Sequence, residues 1–539
     1  MEVRAASSHR RFPRPVRADL IAGLTVALVL IPQALAYAEI AGLPPRSGLM
    51  VAAAPAILAA VFASSPHLQT GPTAVSALLT FGALSSIAEP GSSEYIALAA
   101  MLALVSGVVL VLLNLVRAGV LSYVMSQPVL WGFTAAAALL IIISQVPDVA
   151  GVTELPEGRL LYQAGWVLVH PSSWDLTSIL MGCGSIALVL GVRRINPRLP
   201  VVPLVVVVGV LWSRFGGFTG ATVGDLPSGL PAFALTWPGE QFTTLILPAV
   251  VVALAGFLET SAIARSFATI DRMRWDPNRE LLGQGLANVA AGLSGGFPVS
   301  ASLSRSSLNR LTGSQTRWSG IITGIAVLAF LPVDGVLEPL PRPALAAVVV
   351  AAVTTLFRPD RILRVFRASL PQGIIGVATF GLTLALEPQI HQALVVGIIM
   401  GVLVHLAREL RLDVATHYEA ETLRFAPRGV LFFGSAHLLE DGLREAIADH
   451  PEAEKLNIDL AHVGRLDFTG AVVLEYLADR ATQAGLEVEL TNVPVAARRL
   501  IDGVWRPRVR SAITMQNLVD WLAPWARRPG RGRRPPPPD

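Results

Sequence analysis

The 539-residue chain has one cysteine, Cys183, and one lysine, Lys455. A lone cysteine excludes an intramolecular disulfide and any metal cluster built on cysteine. The nine histidines show no metal-ligand spacing, so no metal and no cofactor are expected. No Gly-x-x-x-x-Gly-Lys loop occurs, so nothing in the chain points to transport driven by ATP, and no enzyme activity is expected. Charge is scarce as well. Only 15% of residues are charged and 53% are hydrophobic, whereas soluble domains carry about 25% charged residues. That balance excludes a wholly soluble protein. The net charge of +4 is carried almost entirely by arginines grouped between apolar runs. Such grouping concerns orientation in a membrane and not nucleic acid.

What is present is a series of apolar runs long enough to cross a bilayer. Residues 1–17 form a polar, basic lead and read as a cytoplasmic tail. Helices are predicted near 18–40, 48–63, 69–87, 95–116, 119–144, 174–194 and 199–215. A second series lies near 241–267, 279–294, 300–311, 316–332, 343–357, 370–386 and 390–410. This gives seven per half and fourteen in all, with a polar excursion and a short amphipathic helix between 145 and 173. Arginines support the count. The loops after helices six, eight and twelve carry Arg193, Arg194 and Arg198, then Arg272, Arg274 and Arg279, then Arg358, Arg361, Arg364 and Arg367. The opposite loops carry single arginines: Arg46, Arg159, Arg214 and Arg342. The positive-inside rule then places both termini in the cytoplasm.

Beyond Arg411 the pattern changes. Strand-like runs at 429–433 and 455–460 alternate with helical stretches near 436–450, 469–484 and 494–502. This alternation predicts a small cytoplasmic α/β domain over 412–525, following a transmembrane domain over 18–411. The Pro- and Arg-rich tail, 526–539, has nothing apolar to pack and is expected to be disordered.

Two stretches break the helical pattern. Ser294–Asn309 holds Gly295, Gly296 and Pro298, and then Ser300 as a candidate N-cap. Ser304 and Ser307 follow Ser300 on one helical face, with Arg305 beside them. Gln69–Ser76 has the same parts in the first half. A half-helix pinned by Gly and Pro presents free N–H groups and a positive dipole end, which suits an anion. Paired interruptions in the two halves of a membrane chain point to a midplane site.

Charges within apolar helices cost about 2.5–3.5 kcal/mol each and require a reason. Arg305 either attracts an anion or pairs with Glu259. Glu259 either binds a coupling proton or cation or positions Arg305. Glu39, near the outer end of the first helix, either loads a proton or is an ordinary helix-end residue. Gln33 and Tyr37, four apart after Pro32, either face substrate or pack. In the soluble domain, Asp467 or Thr469 caps the helix starting there, and Thr469 is alternatively a phosphorylation site.

Several ordered motifs together resemble the sulfate permease family, also called solute carrier family 26. They are Leu30-Ile-Pro-Gln-Ala-Leu-Ala-Tyr-Ala38, Ala41-Gly-Leu-Pro-Pro45, Gly71-Pro-Thr-Ala74, Phe257-Leu-Glu-Thr-Ser261 and Pro298-Val-Ser-Ala-Ser-Leu-Ser-Arg-Ser306. Asp467-Phe-Thr-Gly470 resembles the STAS domain that ends such chains. The resemblance implies an α-helical polytopic membrane protein with a seven-plus-seven inverted repeat, core and gate domains, and a homodimer in the plasma membrane. It implies a small anion (sulfate, bicarbonate, chloride or dicarboxylate) bound by Gln33, Tyr37, Thr73, Ala74, Ser304 and Arg305. Glu39 matches a glutamate tied to proton coupling in some bacterial members. Sodium-coupled members carry an aspartate near the position of Glu259 and a threonine four residues on. Here that second position is Ile263, so a proton is the expected coupling ion, with Glu259 as a second carrier. Thr469 matches the STAS phosphoacceptor, through which a cytoplasmic protein partner would act. The expectation is an elevator-type secondary transporter. The alternatives are an uncoupled channel or an anion sensor acting through the STAS domain.

Overall fold

The computed structural model describes residues 14–123, 126–196, 201–226, 239–354, 356–357 and 359–505. Most of the basic lead and the whole of 526–539 lie outside the described residues. The chain divides into two compact units at Gly401.

The first unit opens with α1 (Arg17–Ile40) and α2 (Pro45–Phe62), then a two-residue strand β1 (Thr70–Gly71) and a short helix α3 (Ala74–Leu84). It continues through α4 (Ser93–Leu115), α5 (Gln127–Ser144), α6 (Val146–Ala150), α7 (Leu160–Val169), α8 (Leu176–Ile195) and α9 (Val201–Phe215). The element order then recurs: α10 (Phe242–Ile270), α11 (Pro277–Leu293), β2 (Ser300–Ala301) and the short α12 (Leu303–Leu311). After these come α13 (Trp318–Phe330), α14 (Arg342–Val353), α15 (Pro359–Ala368), α16 (Leu370–Ala385) and α17 (Ile390–Glu409).

Eight of the described helical spans are long and apolar enough to cross a membrane, and five further apolar helices are shorter. Local chemistry sets their ends. Pro45 opens α2 at a position where no N–H is needed. Asp276 caps α11 by accepting from the backbone of Asn278 and Arg279. The helices pack through small residues, as membrane helices do. A methyl group on Gly48 of α2 would lie 1.8 Å from the carbonyl oxygen of Ala34 on α1. On α4, a methyl group on Gly107 would meet the backbone of Val289 on α11 at 2.5 Å.

Four expectations change. Residues 119–144 are not one helix; a 3-10 turn at Ala118–Tyr123 precedes α5. The arginine run after α14 is not only loop, because Pro359–Ala368 forms an amphipathic helix. The second broken stretch starts its helix at Leu303 and not at Ser300. Ser300 is drawn into β2, and Ser302 is the N-cap. A helix is present in the excursion as α7, but it is apolar nearly throughout, with Leu161, Leu168 and Val169 exposed, and not amphipathic.

The second unit has five strands: β3 (Asp413–Glu419), β4 (Thr422–Leu431), β5 (Lys455–Asp459), β6 (Val463–Leu466) and β7 (Glu487–Thr491). The helices are α18 (Ala436–Asp449), α19 (Phe468–Gln483) and α20 (Val495–Val504). The sheet order is β3-β4-β5-β7, with β6 also beside β4. Only the β3–β4 pair is antiparallel. Alternate residues such as Leu423, Phe425, Leu456 and Ile458 point into a core closed by Leu443 and Leu474.

Asp459, at the end of β5, is 1% exposed. Burial by itself would raise its carboxyl, but hydrogen bonds from Arg424, the Ala461 backbone and Asn492 outweigh burial and hold it below the usual carboxylate range. A depressed carboxyl contributes stability above its unfolded value, about pH 3.9, and loses it as pH falls through the folded value. Asp459→Asn should therefore lower the unfolding midpoint of this unit at neutral pH and narrow the gap to wild type in strong acid. Circular dichroism melts of the full-length protein at the two pH values test this.

Candidate functional site

The interruption at Gly295–Pro298 gives the backbone freedom, and Gly295 takes a left-handed φ of 73°. Asn288, on the preceding helix, then fixes it. Its side chain accepts from Val299 N at 3.0 Å and donates to Val299 O at 3.0 Å. Thr260 of α10 accepts from Ala301 N at 3.1 Å. So held, Ser300 and Ala301 pair antiparallel with Gly71 and Thr70.

Each strand feeds directly into a helix start. Thr73 caps α3, accepting from Ser76 N at 3.2 Å. Ser302 caps α12, accepting from Arg305 N at 3.5 Å. The Thr73 and Ser300 hydroxyls share a hydrogen bond of 2.9 Å that ties the two breaks together. Two positive helix ends and their first N–H groups thus meet at one place.

Arg305 is 1% exposed. Its guanidinium donates to the Pro72 carbonyl at 2.8 Å and to Gln33 Oε1 at 3.3 Å. It therefore crosses from α12 to the approach of α3 and to α1. The anticipated pairing with Glu259 is not what holds it; neutral oxygens accept its hydrogen bonds. Arg305 Nε and Gln33 Nε2 are both buried donors without partners.

A small cavity of about 20 Å³ opens here, lined by Tyr37, Thr73, Ala74, Glu259, Ser302 and Ser304. Ala352, Val353 and Leu356 form its apolar side. Glu259, Leu303 and Leu356 also line a larger cavity of about 450 Å³. That cavity is walled by the start of α5, including Gln127, Trp131 and Thr134, and by Arg265, Ser266 and Thr269 of α10.

Seven of the nine residues singled out from the sequence therefore gather at this site: Gln33, Tyr37, Thr73, Ala74, Glu259, Ser304 and Arg305. Ser307, expected on the same face as Ser304, does not line the cavity. Glu39 lies elsewhere, at the end of α1. Thr469 belongs to the second unit, exposed in the first turn of α19, where Asp467 and not Thr469 is the cap. Sequence reading missed Ser302, Thr260 and Asn288 as builders of the site, and it gave Ser300 the role of a cap where Ser300 instead pairs in the strand and bonds Thr73. The only local signal was the density of hydroxyls between 300 and 307.

Ile263, where a sodium ligand would stand in the resembling members, packs among Leu68, Ala264 and Phe267. Its side chain carries no cation-ligating oxygen, although it also borders the larger cavity beside Glu259 and Ser266.

Interrupted helices converging on a buried polar site define a polytopic membrane transporter. The chain belongs to the sulfate permease family, which it matches over residues 16–379, and it matches the STAS domain over residues 412–504. It is 34% identical over 433 residues to a probable sulfate transporter of Mycobacterium tuberculosis, covering 77% of this chain and 73% of that one. It is 27% identical over 525 residues to the sodium-independent sulfate anion transporter of Bos taurus, covering 90% and 85%. Its fold is similar to that of murine Solute Carrier 26 family member A9, solved in an inward-facing state. That match has a TM-score of 0.81 at 19% identity and covers 92% and 88% of the two chains. The transmembrane domain of a cyanobacterium bicarbonate transporter, BicA, matches with a TM-score of 0.62 at 22% identity, covering 73% and 99%. The named relatives are transporters and not enzymes.

Proposed function

We propose that this anion transporter is a proton-coupled secondary carrier of small anions, working by an elevator movement of a core against a gate. The observation that carries the reading is the pair of unpartnered buried donors, Arg305 Nε and Gln33 Nε2, beside two converging helix starts. Unsatisfied buried donors are costly, and an anion accepts from all of them at once. Gln33, Tyr37, Thr73, Ala74, Ser304 and Arg305 form the substrate site in this reading. Sulfate is the first candidate because it is in the names of the closely similar relatives above; bicarbonate, chloride and dicarboxylates follow.

The recurrence of element order supports a seven-plus-seven repeat of fourteen segments. The core then comprises α1–α4 and α10–α13, and the gate comprises α5, α8, α9, α14, α16 and α17. The arginine pattern supports cytoplasmic termini. The domain limits are 18–411 for transport and 412–525 for STAS. Homodimerisation and a cytoplasmic partner acting at exposed Thr469 belong to the same proposal.

Uptake into proteoliposomes tests the function. Labelled sulfate, bicarbonate, chloride and a dicarboxylate are offered with proton and sodium gradients imposed separately. Proton-driven accumulation of at least one anion is the expected outcome. Accumulation driven by sodium alone contradicts proton coupling, and currents far above carrier turnover contradict a carrier. Glu39→Gln should flatten the response of uptake to the proton gradient while leaving anion exchange in place. An unchanged gradient response removes Glu39 from the coupling role.

A further inference from the structure

The small cavity at the anion site and the larger one beside it have three lining residues in common: Glu259, Leu303 and Leu356. The two cavities therefore meet at a neck, and two of the three side chains around it are leucines. On one side lie about 450 Å³, and on the other about 20 Å³. A single water needs about 10–15 Å³, so the small cavity has room for a water or two and none for sulfate. An anion in the larger cavity reaches Thr73 and Ser304 only when the neck widens.

The two leucines are held differently. Leu303 is the first residue of α12, directly after the cap Ser302, whose N–H donates to the Gln69 carbonyl at 3.1 Å. Its side chain packs against the cluster of Leu68, Ile263, Ala264, Phe267 and Ala301. Leu303 is thus fixed to the strand pair and to α10 at once. Leu356 lies in the turn beyond Val353, the last residue of α14, and its N–H donates to the Val353 carbonyl at 2.8 Å. Its side chain is half-buried and borders open volume on two sides. A side chain so placed gives up fewer packing contacts when it swings than one set in a core. Leu356 is therefore the side of the neck that yields.

We propose that Leu303 and Leu356 form an apolar neck through which the anion passes, and that Leu356 sets how large an anion passes. The proposal rests on the carrier reading above, in which α12 belongs to the core and α14 to the gate. Movement of one against the other then slides Leu303 past Leu356. An apolar constriction stops ions without any charge of its own, because it sheds water. It strips the hydration shell, and neither leucine supplies a polar group in its place. Arg305 and the two helix starts supply replacements only beyond the neck. Selection is thereby divided: the neck sorts by size and by the cost of dehydration, and the site beyond it sorts by charge.

Thiol labelling of the full-length protein in lipid nanodiscs reads the neck without transport. Ser304→Cys places a target just beyond the neck, in a background where Cys183→Ser removes the native thiol. The probe is a small, negatively charged methanethiosulfonate. Adding Leu356→Ala should raise its rate of reaction about tenfold, and adding Leu356→Trp should lower it by a similar factor. A bulkier reagent of the same charge should gain more from Leu356→Ala than the small one does. Loss of the fold would raise the rate in both variants, so only movements in opposite directions support a neck. Rates that stay unchanged, or that move together, overturn the proposal. If the rates move as stated but wild type passes currents far above carrier turnover, the neck stands and the carrier reading fails.

Discussion

Arg305→Ala lowers anion uptake roughly 10- to 100-fold at subsaturating substrate, as expected from losing a charged hydrogen-bond donor worth about 1.5–3 kcal/mol. The guanidinium is held by the Pro72 carbonyl and Gln33, so two of its nitrogens are engaged within the protein. Its Nε is the free donor. Arg305→Lys restores the charge but not the planar fork, so its uptake should fall between alanine and wild type. Both variants should insert and elute as single species, because neutral atoms and not a partner charge accept from Arg305. Glu259, whose Oε2 is buried and which lies within the electrostatic reach of Arg305, then takes up a proton and stays neutral. Initial rates in proteoliposomes with matched protein content are the measurement. Wild-type uptake by the alanine variant removes Arg305 from the anion site.

Asn288→Ala has the largest expected effect on stability. It removes both partners of Val299, whose N–H and carbonyl are buried and pair with nothing else in the strand. Each unsatisfied group costs about 1–3 kcal/mol, so the total loss is about 2–6 kcal/mol. Asn288→Asp keeps the acceptor for Val299 N but sets a buried carboxyl against the carbonyl oxygens of Val299 and Gln284, so it should not recover the stability lost in alanine. The readout is the midpoint of thermal unfolding in detergent, followed by uptake. Because Val299 leads straight into the strand that feeds α12, uptake should fall in parallel with stability. An unchanged midpoint in the alanine variant shows that the break is held by other contacts.

The two predictions mark the limits of what the sequence discloses. Gly295, Gly296 and Pro298 announce a break because their effect on the backbone is local. Arg305 announces itself because charge in an apolar segment has a known cost. The alternation beyond Arg411 gives a small α/β domain by periodicity, and its helices start within a residue or two of the expected places. The start of α12 does not read off in this way. Ser300 and Ser302 are equally good caps by composition, and a hydrogen bond from a strand far away in the chain decides between them. The partner of Arg305 is likewise invisible. Glu259 is the obvious opposite charge, yet a backbone carbonyl and an amide take the guanidinium. Asn288 carries no signal at all, since its task depends on a loop that folds back eleven residues later. Pro359–Ala368 reads as a basic loop because arginines dominate it, although its few apolar residues share one helical face.

The two-residue pairing of β1 with β2 has a consequence for how the protein is made. Helix α3 has 11 residues, about 16 Å of helix, and the hydrocarbon layer is about 30 Å thick. During synthesis this segment reaches the bilayer long before β2 and α12 have left the ribosome. Until then the edge of β1 has no partner, and the Thr73 hydroxyl lacks its bond to Ser300. The first half of the chain must hold an incomplete helix at depth, sheltered by its neighbours, until the second half arrives to close it. Truncations ending before Ser300 should therefore expose α3 to degradation, and adding residues through Leu311 should restore its protection.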